Sequence, residues 1–441
     1  MANQPIAFER SIPVRAEVDI FIAGGGPAGV AAALTAARQG ARVFLAEGGT
    51  CFGGMGTAGL VPAFMCFSDG IHFLAAGVGE EIYCTLKQYA ATPVDDPYSV
   101  VSINVEALKR VYDDLMAACG ATFLFQTQVI ALESENGHIS SAICSAKSGL
   151  FGVRAKVFID ASGDGDLAVW AGAPFEKGDA QGNMMPGTLC SLWAGIQWDR
   201  VNANPIRQDS LLEKAFADGV FTIQDRHLPG IFQVGEQIGG GNVGHLFGVD
   251  GTHESSLTRA LLWGRKVLSE YEVYYKKYLK GFEEMALVST GALPGLRETR
   301  RILGDYVLSR EDFIQRAVFE DEIGRYNYPV DIHASKPDKA AYAQFEEEFA
   351  RLRYQKGESY GIPYRILTPR GLDNLLVAGR CVSTDRAIQG SIRVMPGCYI
   401  TGQAAGMAVA LAVEQHTTTR GFAVKELQQR LKKMGAYLPN A

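Results

Sequence analysis

The sequence predicts an α/β protein in which one parallel-sheet domain is assembled from separated parts of the chain and an α+β unit is inserted into it. Three observations carry this. A strand, a glycine turn, a helix and a second strand follow one another between Val18 and Ala46. Two more apolar runs end in glycine-bearing turns, Val157–Asp160 in mid-chain and Asn374–Val377 near the C-terminus. At 441 residues the chain is also too long for one ordinary domain of ~150 residues. It holds about three units, or two with one interrupting the other.

The first element is the β-branched run Val18–Ala23, suited to a buried parallel strand. Gly24, Gly26 and Gly29 follow in GxGxxG spacing, with Pro27 and Ala28 between the last two. An alanine-rich helix runs to Gln39 and stops at Gly40, and Ala41–Ala46 is the second strand. Glu47 ends it, 23 residues after Gly24. This order is the signature of a Rossmann-type dinucleotide site. Gly24 permits the sharp turn, Gly26 lets backbone approach a pyrophosphate, and Gly29 lets helix pack on strand. The helix N-terminus offers free N–H groups and a positive dipole end to phosphate. Glu47 can accept from a ribose diol and would repel a 2′-phosphate.

Further on, helix-like Val105–Cys119 precedes short strand-like runs at Phe123–Leu132, His138–Ala146 and Val153–Phe158, with Gly137 and Gly149 at the turns. They read as an antiparallel β-meander inserted before the parallel sheet resumes. A second glycine turn spans Asp160–Asp166. Near the end, Asn374–Arg380 is a strand closing in glycine, and Ser391–Cys398 leads into a helix over Thr401–Glu414. The expected layout is a discontinuous nucleotide-binding domain over 15–175 and 361–415, a substrate domain over 176–360, and a C-terminal segment 416–441. That last segment carries a charged amphipathic helix at Val424–Lys433.

Composition narrows the class. Apolar residues make up 47% and charged residues 20%, as in a chain with a large core. Net charge is −6, which argues against nucleic acid as a partner. Glycine is in excess, 50 residues, marking many tight turns or close backbone approaches. The eight cysteines form no CxxC pair, so neither a disulfide framework nor a metal site is expected, and no metal ligand is assigned. Met1–Glu17 has no apolar stretch of a secretory signal, and the expectation is a cytoplasmic protein. Ile20–Ala37 is uncharged but broken by Gly24–Gly26, Pro27 and Gly29, so no membrane span is expected there.

These residues resemble the FAD-dependent oxidoreductases of the glutathione-reductase-like flavoprotein fold. The likeness rests on Gly24–Gly29 with Glu47, on Gly53–Gly59 and on Asp160–Ala168. It continues through Gly248–Thr252, Arg297–Arg301, Tyr328–His333, Ile362–Arg365, Val377–Arg380 and Gly390–Pro396. The resemblance implies a non-covalently bound FAD. Beyond the first motif it implies contacts from Gly48, Gly54, Met55, Thr57, Val129, Ala161, Gly163, Asp164, Gly379, Arg380, Arg393, Met395, Pro396 and Gly397. The helix opening at Met395–Thr401 would turn positive N–H groups toward a reduced flavin. There are two departures. Gly48–Cys51 is similar to a redox-active disulfide segment, but Gly56 stands where a second cysteine belongs, so no dithiol relay is expected. A second strand–glycine–helix unit is missing, and Gly239–Gly244 reads as a loop.

Flavin carries the electrons, and the protein must supply orientation and a proton path. The candidate bases are His333 and His245, ahead of His253. Arg297 and Arg300 are the candidate anchors for a polar group. With Arg301 and Arg365 they could also form ion pairs with Glu298 and Asp305. Tyr271, Tyr274, Tyr275 and Tyr278 recur at helical spacing and suit core packing. The expected reaction is hydride transfer between a small polar substrate, such as a hydroxy compound or sugar derivative, and flavin N5. An unidentified external acceptor would take the electrons. Alternatives are a reductase or monooxygenase reduced by NAD(P)H, a C=C reductase or dehydrogenase, an NAD-dependent dehydrogenase, and a non-catalytic flavin-binding sensor. Neither nucleic acid nor membrane is an expected partner, and a homo-oligomer stays open.

Overall fold

A computed structural model describes residues 9–89, 99–204, 208–338 and 352–441, with a few isolated positions besides. Its principal elements are β1 (Val14–Ala23), α1 (Pro27–Arg38), β2 (Val43–Ala46), β3 (Thr122–Leu124), β4 (Gln128–Glu135), β5 (His138–Ala146) and β6 (Gly149–Asp160). Then come β7 (Ser191–Ala194), β8 (Gly230–Gln233), β9 (Ile238–Asn242), α2 (Glu254–Tyr278) and β10 (Ala286–Thr290). The chain closes with β11 (Leu375–Val377), α3 (Met395–Glu414) and α4 (Val424–Lys433).

The main sheet has seven strands. Its parallel part runs β3, β2, β1, β6, β11. β6 is long enough to serve twice: its first half pairs antiparallel with β5, and its last residues pair parallel with β11. The meander β4–β5–β6 is thus an extension of the same sheet. Phe123–Leu132 is expected from the sequence as one run. The structure divides it, because Gln126 turns with φ 49°, leaving Thr122–Leu124 in the parallel sheet and Gln128–Glu135 in the meander. Asn374, just before β11, ties the parts together. Its side-chain carbonyl accepts from Ile139 N (2.9 Å), and its amide donates to the carbonyls of Ile139 (2.8 Å) and Lys156 (3.0 Å).

β1 ends in fully buried Ile20–Ala23, where Phe21 lies between Phe44 and Phe158 of the flanking strands. A buried aromatic of this kind stabilises by roughly 1.5–3 kcal/mol. α3 covers one face beside α1, in a contact made of small residues. A Cβ on Gly402 would lie 2.2 Å from the Ala28 carbonyl oxygen, and one on Gly406 would lie 2.3 Å from that of Ala32. The helices therefore touch backbone to backbone and run parallel, one turn for one turn. α3 is long and apolar enough to cross a membrane, yet it is buried in this core.

A second hydrophobic core is separate from the first. It is built by Trp193 of β7, Tyr271, Tyr274 and Tyr275 of α2, and Phe282 and Met285. Above it lies a four-stranded sheet, β8–β9–β7–β10. Of Gly239–Gly244, expected as a loop, the residues up to Asn242 belong to strand β9. Its glycines hid the strand from periodicity, and they are there because neighbours crowd it: a Cβ on Gly240 would sit 2.4 Å from Pro62 Cβ. That contact seats the small sheet on the nucleotide-binding part. Ile302, Phe313, Ile323, Tyr326 and Ile332, inside the segment read as the insertion, bury their side chains in the first core. α4 spans the predicted residues and buries Leu427 and Leu431 on one face.

Candidate active site

The glycine turn after β1 behaves as its residue types require. Gly24 has φ +92°, and a Cβ there would lie 2.6 Å from the Ala161 carbonyl oxygen. Gly26 is the reverse case: its backbone is ordinary, and a Cβ would meet no atom within 4 Å. It faces a cavity of about 470 Å³. Both helix N-termini at this cavity, α1 after Gly26 and α3 after Val394, lack a side-chain cap. Their free N–H groups and dipole ends suit an anion. At the end of β2, the two carboxylate oxygens of Glu47 accept from Gly25 N (2.6 Å) and Gly49 N (2.5 Å), and Glu47 still lines the cavity.

The cavity wall contains Gly24, Gly26, Pro27, Ala28, Glu47, Gly54, Met55, Ala161, Gly163, Gly379, Arg380, Arg393 and Met395 of the predicted cofactor set. The others lie behind it. Gly29 packs against Gly24, Thr57 donates to the Phe52 carbonyl, and Val129 pairs with Cys144 in the meander. Gly48, Pro396 and Gly397 are also outside the wall. Asp164 holds Arg380 (2.6 Å) and Thr299 (2.6 Å), while Arg380 also donates to the carbonyls of Gly163 and Leu296 (3.0 Å each). This clamp locks the second glycine turn to the segment that carries Arg297.

The far end of the same cavity is polar. Arg297 lines it, and its guanidinium donates to the Pro186 carbonyl (2.7 Å) and Thr188 Oγ1 (3.1 Å). Among the described residues no carboxylate forms an ion pair with it, and burial with the nearby Arg393 brings its pKa down to about 10. Arg300, expected beside it, is not brought to the cavity. It pairs with Asp166 (2.6 Å) and lies over the Phe175 ring. Arg301 binds Glu298 and Glu176, and Arg365 binds Asp321. Asp305 pairs instead with Arg420.

His333 and His245 do meet, although 88 residues separate them: His245 Nε2 and His333 Nδ1 are 3.1 Å apart. Each outer nitrogen faces a carboxylate, His245 Nδ1 with Asp225 (3.1 Å) and His333 Nε2 with Asp331 (3.3 Å). His333 lines the cavity and His245 sits behind it; His253 stays outside, near Asp250. His227 completes the cluster, stacked on His245 at 5.1 Å and edge-on to His333 at 4.5 Å. Sequence reading missed it, since nothing in Asp225-Arg226-His227 marks a site before the sheet places it. Burial, then His245, push the His227 imidazole down to about 4. Burial also lowers His245, and burial with Arg297 holds His333 well below the usual histidine range. Burial works against Asp331, but His333, Arg393 and Arg297 hold its carboxyl far below the ordinary carboxylate range.

The parallel sheet, the glycine turn, the acid after β2 and the paired helix N-termini define a dinucleotide-binding fold, and the cavity they line continues to the polar end that holds Arg297 and His333. The residues fit FAD. The chain belongs to the FAD dependent oxidoreductase family, whose model matches residues 19–431, and FAD is its cofactor. No curated protein matches it. Among solved structures it is similar to a geranylgeranyl bacteriochlorophyll reductase-like protein from Thermoplasma acidophilum, at 13% identity over 96% of this chain and 84% of that one, with a TM-score of 0.46. It is also similar to p-nitrophenol 4-monooxygenase from Pseudomonas putida, at 13% identity over 94% and 84% of the two chains, with a TM-score of 0.45. A myxobacterial chondrochloren halogenase gives 13%, 95% and 79%, and 0.45. Likenesses this distant carry no chemistry across.

Proposed function

We propose that this protein oxidises a small polar substrate bearing a hydroxyl group and an anionic or carbonyl group. When bound, the flavin supplies a two-electron acceptor for hydride. One observation carries the reading: a single cavity runs from the Gly26 cradle to a chamber walled by Arg297, His227 and His333. Arg297 binds and orients the substrate through guanidinium N–H groups left free of any carboxylate. His227 receives the hydroxyl proton, because no hydrogen bond among the described residues reaches its ring nitrogens. It takes the role that sequence reading gave to His333 or His245, whose nitrogens face each other and their carboxylates. Phe232, on β8, adds an apolar wall to the same cavity.

Anaerobic mixing tests this. Small hydroxy acids and other hydroxy compounds are screened for saturable bleaching of bound flavin, beside NADH and NADPH. His227→Ala should slow bleaching by roughly 10²–10⁴-fold while leaving flavin bound. Fast bleaching by a nicotinamide alone, with none by any hydroxy compound, would refute the reading in favour of a reductase or monooxygenase.

A further inference from the structure

We infer that His227, His245 and His333 form a binding site for one divalent transition ion of the zinc class. If Asp225 and Asp331 each accept an N–H from the histidine they face, His245 Nε2 and His333 Nδ1 are both bare, and they point at each other across 3.1 Å. If a proton is placed between those two nitrogens, one outer nitrogen becomes bare and faces a carboxylate. Neutral imidazoles cannot satisfy all four positions, so the arrangement is short of one proton or one metal ion. Carboxylates behind ligating histidines are the usual means of aiming imidazole lone pairs at a metal.

Geometry agrees. One nitrogen from each of the three rings lies within 4.8 Å of the others. Tetrahedral zinc with bonds of about 2.0–2.1 Å needs ligand nitrogens roughly 3.4 Å apart. The buried pair at 3.1 Å already meets this, and rotation of His227, the least buried of the three, closes the rest. Three neutral nitrogen donors suit a borderline ion better than calcium or magnesium, which prefer oxygen. His227 and His333 line the cavity, so the fourth position opens toward it. A substrate hydroxyl or carboxylate oxygen would complete the set there. This last step rests on the reading above for the place of the substrate.

The test uses the FAD-loaded protein, stripped with a chelator, gel-filtered and titrated with zinc against a chromophoric competitor. One equivalent per chain is expected. Affinity should fall at least 100-fold in His227→Ala and about 10–100-fold in Asp225→Asn, with the flavin-to-protein ratio unchanged in both. No stoichiometric uptake by flavin-replete protein would overturn the inference, as would equal affinity in wild type and both variants. Neither readout uses turnover. A substrate screen that fails while zinc is bound refutes the functional reading and still supports the site.

Discussion

Replacing Gly26 by valine should separate folding from cofactor binding. The backbone there has φ −68° and ψ −176°, which any residue adopts, and a Cβ meets no protein atom within 4 Å. The apoprotein should therefore fold and be no less stable than wild type. Loss of glycine freedom in the unfolded chain would add about 0.4–1 kcal/mol where the new residue fits. The side chain would occupy the space in front of the α1 N-terminus instead. Losing two charge-assisted hydrogen bonds to phosphate, at roughly 1.5–3 kcal/mol each, amounts to about 3–6 kcal/mol, or roughly 10²–10⁴-fold in affinity. Gly24→Val is the contrasting control, since φ +92° and the Ala161 carbonyl at 2.6 Å forbid it in the fold itself. Reconstitution followed by the visible flavin spectrum measures affinity, and thermal melting of the apoprotein measures stability. A Gly26→Val protein that binds FAD as wild type does, or that unfolds as Gly24→Val does, would refute the reasoning.

Two other predictions concern stability. Burial pushes the Asp160 carboxyl up to about 6, above its ordinary value of 3.8, so its contribution is full below pH 4 and lost as pH rises through 6. Urea unfolding of wild type and Asp160→Asn should show the difference between them falling by about 3 kcal/mol from pH 4 to pH 7, and a flat difference would contradict the shift. Asn374→Ala removes three hydrogen bonds, two of them buried, that tie Ile139 and Lys156 to the start of β11. It should cost about 2–5 kcal/mol, read as an earlier urea midpoint.

The nucleotide-binding part was legible because its chemistry is local. Gly24, Gly26, Gly29 and Glu47 sit within one strand–helix–strand unit, and each residue type has one physical reason to be there. The later glycine-ended strands were legible as strands, but only the sheet shows that Val377 lies beside Asp160. The chamber was half legible. His333, His245 and Arg297 were nameable, whereas His227 and Asp225 depend on a β8–β9 sheet whose glycines conceal its period. Arg300 shows the converse limit: it is three residues from Arg297, yet it leaves the cavity because Asp166 and Phe175 hold it elsewhere.

The small-residue contact between α1 and α3 has a consequence for how the protein is made. Its two halves are supplied by Ala28 and Ala32 near the start of the chain and by Gly402 and Gly406 near its end. During synthesis the helix that completes the cradle emerges some 370 residues after the first glycine turn. Until then the face of α1 that carries Ala28 and Ala32 lacks the helix that packs on it. A chain cut before Met395 would lack one wall of the cradle, so flavin content would report whether α3 is in place.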